Sequence, residues 1–220
     1  MGEQARTLSA VAPRPDPAMS RAKYREHAED YDLASAGAHA MRAWAVRMLE
    51  LRPGDVMLDV GCGTGLNFGR LGERVGAEGQ IIGIELCGEM LARARERLET
   101  AGCAGMLVES AVEWAEIPAT ADAALFSYTH DVLRSPAALE NVFRHLRPGA
   151  RVAAAGLMRP PWWSPIGGYV QRLGREYATT LEGFDQPWSH LDRFLPYIEV
   201  QEQVGLGGGY VAWGKVPGYR

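Results

Sequence analysis

The chain has 220 residues, 47% of them hydrophobic and 23% charged, with a net charge of −4. That size suits one domain with a full core; the acidic balance offers no field for nucleic acid or anionic lipid, and no apolar run approaches the ~20 residues of a membrane helix. Cys62, Cys87 and Cys103 are odd in number and lack CxxC spacing, which reads as reduced thiols of a cytoplasmic protein, without a metal site or disulfide framework.

Residues 1–19, rich in Ala, Pro and Arg, read as a disordered tail, and residues 20–220 as a single domain. The N-terminus lacks the apolar core of a signal peptide, and Glu3 speaks against a transit peptide. A short helix is predicted over 24–32 and a longer one over 38–51, with Trp44, Met48 and Leu49 on one side and Pro53-Gly54 as its stop. Strands and helices then alternate: strand 56–60, helix 66–75, strand 81–85, helix 88–100, strand 105–108, strand 123–127, helix 135–146 and strand 151–156. The strands are unbroken apolar runs, as in a parallel sheet covered on both faces, and the alternation predicts right-handed βαβ units. Residues 157–190 read as irregular and aromatic, and 199–204 and 210–215, flanking Gly205 to Gly209, as a closing antiparallel pair. The fold class is α/β: a seven-stranded sheet, mostly parallel, with helices on both faces.

The first strand, Val56-Met57-Leu58-Asp59-Val60, runs into Gly61-Cys62-Gly63-Thr64-Gly65, and the second ends on Glu85, twenty residues past Gly65. Glycines let a cofactor approach the backbone, and a carboxylate at that distance accepts hydrogen bonds from ribose hydroxyls. The competing reading is a structural turn whose glycines serve only backbone geometry; Asp59 in front and Glu85 behind favour the cofactor. A nicotinamide-binding GxGxxG turn would place its third glycine at position 66, which is Leu66.

The stretch Asp59 to Gly65 resembles the first motif of class I S-adenosylmethionine-dependent methyltransferases. The likeness runs over about residues 21–215 and includes Tyr24, Tyr31-Asp32, Glu85 with Met90-Leu91, and His145-Leu146-Arg147-Pro148-Gly149. Within that superfamily the chain is most similar to the small-molecule group that includes the ubiquinone/menaquinone methyltransferases. The resemblance implies a Rossmann-like sheet, S-adenosylmethionine as cofactor, and methyl transfer to an O, N or C atom of a small molecule. It also implies roles: Asp59 for the ammonium, Gly61, Gly63 and Gly65 for the turn under the methionine part, and Glu85 for both ribose hydroxyls. Leu86 and Met90 would pack on the adenine, Ser127 would sit near the methionine carboxylate or sulfonium, and Tyr31 would close over the cofactor. The family commonly has an acid after the third strand that meets the adenine amino group. Here Ala111 stands in that place, so the Val112 N–H, Ser110 or Glu113 would serve.

His130 lies just past the fourth strand, on the edge of a parallel sheet that faces ligands. It is a candidate base for an acceptor hydroxyl or amine, with Asp131 able to orient it; the alternative is a histidine that caps the next helix. The aromatic segment 157–190 reads either as a substrate lid, with Trp162, Trp163, Tyr177 and Trp188 as its wall, or as plain cover for the sheet edge. A lid of that composition suits an apolar, planar or cationic acceptor. Two other functional classes remain: a nicotinamide-dependent oxidoreductase, opposed by Leu66 and the terminal hairpin, and a cofactor-binding protein without transferase activity, opposed by the intact Asp59, glycines and Glu85.

Overall fold

The computed structural model describes residues 14–218; residues 1–13 of the expected tail lie outside them. Its last residues are not tail. Asp16 caps helix α1 (Pro17–His27), accepting from Ala18 N at 2.9 Å and Met19 N at 3.0 Å, with Pro17 in the first turn. The helix expected over 24–32 is divided: α1 ends at His27, and a short α2 (Tyr31–Ala34) follows. A 3-10 turn (Ala36–Ala38) then leads into α3 (His39–Met48).

The alternating part follows in order: β1 (Val56–Val60), α4 (Phe68–Val75), β2 (Gln80–Glu85), α5 (Gly88–Glu99), β3 (Ala104–Glu109), β4 (Ala121–Ser127), α6 (His130–Leu133), α7 (Pro136–Arg144) and β5 (Leu146–Leu157). With β6 (Ile198–Gln203) and β7 (Gly209–Lys215) following later in the chain, the sheet order is β3-β2-β1-β4-β5-β7-β6. The first five strands are parallel, and β7 (Gly209–Lys215) pairs antiparallel with both β5 and β6 (Ile198–Gln203). The break expected at Arg147-Pro148-Gly149 is absorbed inside β5: the register jumps from Ala121↔Leu146 to Ala123↔Arg151, with Gly149 at φ +80°.

Period-two alternation divides each central strand between two cores. Leu58, Ile82, Phe126 and Ala154 face a cluster with Leu139, Val142 and Leu191. Their neighbours Met57, Ile81, Leu125 and Ala153 face Val46, Leu49, Phe68 and Leu71 on the other side. The chain winds outward from β1 to β3 and then returns to place β4 on the other side of β1. That reversal leaves a crevice beyond the carboxyl ends of β1 and β4, where open α/β sheets hold ligands.

Segment 157–190 is more regular than expected. It contains α8 (Gly167–Tyr177), whose Val170, Leu173, Gly174 and Tyr177 follow helical spacing and turn inward. Gly167-Gly168 and the preceding Pro-Trp run hid that period. Among the described residues, no helix is long and apolar enough to cross a membrane.

Candidate active site

The crevice opens into a cavity of about 380 Å³. Its floor is the glycine turn. Gly61, Gly63 and Gly65 have φ of +66°, +56° and +77°, conformations that L side chains rarely adopt. The three differ in what surrounds them. A Cβ on Gly61 would stand 2.5 Å from Thr129 Cγ2, and one on Gly65 would stand 2.7 Å from the Phe68 ring and 3.2 Å from Ala94 Cα. Gly65 therefore serves the packing of the turn against α4 and α5, away from the cavity wall. A Cβ on Gly63 would meet only Tyr31 Cε1, at 3.9 Å, so this backbone is bare toward the cavity.

Glu85 reaches the cavity from the end of β2. Its Oε2 accepts from Gly63 N at 3.0 Å, and its Oε1 from Leu86 N and Cys87 N at 2.8 Å each. Burial raises its pKa, and these three amides pull against that rise. Asp59 is fully buried below the turn. Its Oδ2 accepts from Asn67 Nδ2 at 3.3 Å, while Oδ1 has no partner. Burial pushes its pKa up to about 7, against the Asn67 bond and the charge of Arg42.

Leu86 lines the cavity beside Glu85, and Ser110, Ala111, Val112 and Glu113 line it beyond β3. Asn141 holds this last loop by donating to Val112 O at 2.8 Å and Ala115 O at 2.9 Å. Met90 is not in the wall: it is fully buried behind it, with Ala28 and Cys87. Helical spacing put it inward, and inward here means under α1.

Tyr31 covers the turn from α2. Asp32 fastens it there, accepting from Thr64 Oγ1 at 2.6 Å and from Arg97 Nη2 at 2.6 Å. Burial would raise the Asp32 pKa, but these bonds and the charges of Arg97 and Arg93 hold it low. The Tyr31 ring meets Tyr24 at 6.0 Å and Tyr177 at 5.9 Å, which joins α2, α1 and α8 in one aromatic cluster.

On the β4 side, Ser127 is buried, and its Oγ accepts from Arg42 Nη1 at 3.2 Å. Tyr128 follows at φ +62°, a left-handed conformation uncommon for an aromatic residue, and its ring lies 4.7 Å under the Arg42 guanidinium. His130 lines the cavity, edge-on to Phe184 at 5.3 Å, with both ring nitrogens buried. Burial, and then Arg134, lower its pKa to about 4, so the ring is neutral at pH 7. Asp131 does not orient it. Its carboxylate turns away to the segment after α8, accepting from Thr179 N at 2.9 Å and Thr179 Oγ1 at 2.8 Å.

The aromatic wall differs from the one expected. Tyr177 lines the cavity, but Trp162 is 96% and Trp163 57% exposed, and neither touches it. They follow Pro160-Pro161 in a turn that points outward. Trp188 is buried in the core instead, against Tyr210 at 4.8 Å. This side of the cavity wall is made of Tyr169, Val170 and Leu173 of α8 with Phe184. Lys23 of α1 secures α8 by donating to Arg175 O and Ala178 O, each at 2.6 Å.

Sequence reasoning missed Arg42, Tyr128 and these α8 residues. Arg42 carried a signal: it shares a helical face with Ala45, Val46 and Leu49, the buried side of α3. Tyr128 carried none, because its conformation is set by the strand end and the loop packed on it.

Several known proteins resemble this chain. Residues 57–149 match a family described as "Methyltransferase domain". The ubiquinone/menaquinone biosynthesis C-methyltransferase UbiE of Xylella fastidiosa is 30% identical over 196 residues, covering 80% of this chain and 75% of that protein. The 2-phytyl-1,4-naphtoquinone methyltransferase of a Nostoc species is 30% identical over 206 residues, covering 82% and 83%. Among solved structures, the N-methyltransferase NodS of Bradyrhizobium japonicum with S-adenosyl-L-homocysteine superposes with a TM-score of 0.64 at 13% identity, covering 90% of this chain and 98% of that one. A SAM-dependent methyltransferase from Aquifex aeolicus gives 0.58 at 20% identity, covering 91% and 98%. At those identities the structural matches speak for the fold.

Proposed function

The chain belongs to the class I S-adenosylmethionine-dependent methyltransferases, similar within them to the ubiquinone/menaquinone group, and from that premise we propose a planar, largely apolar small molecule of quinone type as its methyl acceptor. The observation that carries this reading is the wall of Tyr169, Val170, Leu173 and Phe184, which continues the glycine-turn cavity under α8. Flat rings fit such a wall and bury apolar area against it. The relatives whose names specify quinones and a naphthoquinone support the same class.

The residues present fit the cofactor. Gly63 is bare where a ligand must approach the backbone, Glu85 presents a carboxylate to the cavity, and Asp59 keeps a buried oxygen without a partner. In this reading Glu85 holds the ribose, Leu86, Ala111 and Val112 flank the adenine, Asp59 faces the ammonium, Ser127 lies by the methionine end, and Tyr31 covers the site. When bound, S-adenosylmethionine supplies a methyl group already activated by its sulfonium. The protein's part is then to align the acceptor and exclude water. The ties of Thr179 to Asp131 and of Lys23 to α8 hold the lid for that task.

Methylation of a hydroxylated ring releases one proton overall. His130 is the residue of the wall suited to it: a neutral imidazole at the strand end. Its low basicity suits a hydrogen bond from an acceptor hydroxyl, with the proton moving as that hydroxyl grows acidic. The three cysteines are unpaired, in keeping with a reducing cytoplasm as the setting. The test is turnover with S-adenosylmethionine and a panel of reduced naphthoquinols, benzoquinols and aromatic amines, read as S-adenosylhomocysteine release and methylated product. Methylation of the quinols supports the reading; turnover of the amines alone overturns the acceptor class.

A further inference from the structure

Tyr210 is a core residue that also lines the cavity. It stands at the start of β7, is 2% exposed, and packs its ring on Trp188 with centroids 4.8 Å apart. Opposite it in the antiparallel register is Gly156, near the end of β5. A Cβ on Gly156 would lie 3.6 Å from Tyr210 Oη and 3.7 Å from Tyr128 Cα. The Tyr210 ring thus crosses over β5 above Gly156, and its hydroxyl comes to the end of β4, beside Tyr128. This stretch of wall belongs to β5 and β7, on the far side of β4 from the glycine turn.

Both tyrosines line the cavity, and neither hydroxyl pairs with another group of the described residues. Burial pushes the Tyr128 pKa up to about 12 and raises that of Tyr210 as well, with nearby Tyr128 adding to the second rise. Both phenols therefore stay protonated at pH 7. A buried tyrosine hydroxyl ordinarily finds a hydrogen-bond partner inside the protein. Two such groups left open to one cavity, facing the largely apolar α8 wall, point to a ligand atom that completes them. A neutral hydroxyl both donates and accepts, so the two together suit a neutral oxygen: a carbonyl can accept from both, and a hydroxyl can accept from one while donating to the other.

We propose that Tyr210 and Tyr128 are the specificity-determining residues for the acceptor, together binding one oxygen on its ring while the α8 side chains cover the ring's faces. The inference rests on the reading of the α8 wall as the acceptor site. It adds a selection that an apolar wall cannot make. A hydrophobic slot takes any flat ring of the right size, whereas a site built around hydrogen bonds rejects a ring without the oxygen, because its own buried hydroxyls are then left unpaired. The two residues come from distant parts of the chain, Tyr128 from the end of β4 and Tyr210 from the closing hairpin, and only the pairing of β7 with β5 brings them together.

The test compares 1-naphthol with naphthalene, the same ring without the oxygen, as ligands of the protein loaded with S-adenosylhomocysteine. Titration of the wild type should favour 1-naphthol by roughly 10-fold or more, as expected for two hydrogen bonds to one oxygen in a buried site. Tyr210→Phe removes one hydroxyl and keeps the ring on Trp188. It should cut that preference to about 3-fold or less and hold naphthalene and S-adenosylhomocysteine within about 3-fold of their wild-type affinities. Tyr128→Phe should narrow the same gap, and it reads the site if Tyr210→Phe does not fold. A wild type without the preference, or a preference that survives both substitutions, overturns the proposal. So does an equal loss of both aromatic ligands in Tyr210→Phe, which would make the tyrosine a packing residue. Binding is read here without turnover, so failure of the tyrosine site and failure of the quinol reading show in separate experiments.

Discussion

Glu85→Ala removes the group on which the glycine turn and the proposed ribose site both depend. In the free protein its carboxylate accepts from Gly63 N at 3.0 Å and from Leu86 N and Cys87 N at 2.8 Å. Hydrogen bonds to a charged acceptor each contribute ~1.5–3 kcal/mol. The three costs do not sum, because water entering from the cavity can serve amides at its wall. A stability loss of ~1–3 kcal/mol follows, or a fall in Tm of roughly 2–10 °C for a chain of this size. Affinity should fall further than stability predicts. Two ribose hydroxyls lose a shared charged acceptor, ~2 kcal/mol or about 30-fold in Kd for S-adenosylhomocysteine. Glu85→Gln separates the two effects. Its oxygen can keep the Leu86 and Cys87 amides, but its NH₂ then opposes Gly63 N–H, so most of the stability returns and only part of the affinity. Calorimetry and thermal unfolding on the same samples read both quantities. An alanine variant that is folded and binds S-adenosylhomocysteine within 3-fold of wild type would refute the ribose assignment.

The neighbouring glycines should part company. Gly63→Val puts a side chain into the cavity at φ +56°, costing ~1–2 kcal/mol in backbone strain while abolishing cofactor binding by titration. Gly65→Ala drives a Cβ to 2.7 Å from Phe68, so it should lower Tm first and affinity only as a consequence. Normal cofactor binding by Gly63→Val would show that the turn lies elsewhere. His130→Ala should lower kcat by ~10²-fold or more with cofactor affinity unchanged; a smaller loss with a raised acceptor KM would make it a positioning residue. The same variant has a pH signature. The folded value of about 4 lies below the unfolded value near 6.5, so the unfolded chain takes the proton first. Stability from this ring is complete above about pH 6.5 and lost toward pH 4, by up to ~2–3 kcal/mol; His130→Ala should flatten that limb, and an unchanged acid limb would show that the ring is not held neutral by burial.

Most of the sheet was legible from local pattern. Unbroken apolar runs at 56–60, 81–85 and 123–127 belong to strands covered on both faces, and the turn glycines with Glu85 lie where their spacing put them. These features are local: a left-handed turn demands glycine, and a parallel strand buried on both sides demands an unbroken apolar run. What surrounds them was decided by contacts between distant segments. Trp162 and Trp163 share the composition of a lid wall, but the Pro160-Pro161 turn sends them outward, while an unremarked helix of the same segment supplies the wall. Asp131 adjoins His130 in sequence, yet Thr179, 48 residues away, takes its carboxylate. Arg42 meets Ser127 only because α3 packs its buried face against β5, β7 and β4, where no carboxylate of the described residues pairs with it. Period and turn chemistry act within a few residues and so can be read along the chain; whether a buried charge finds a partner depends on which elements meet, and only the packed tertiary structure determines that.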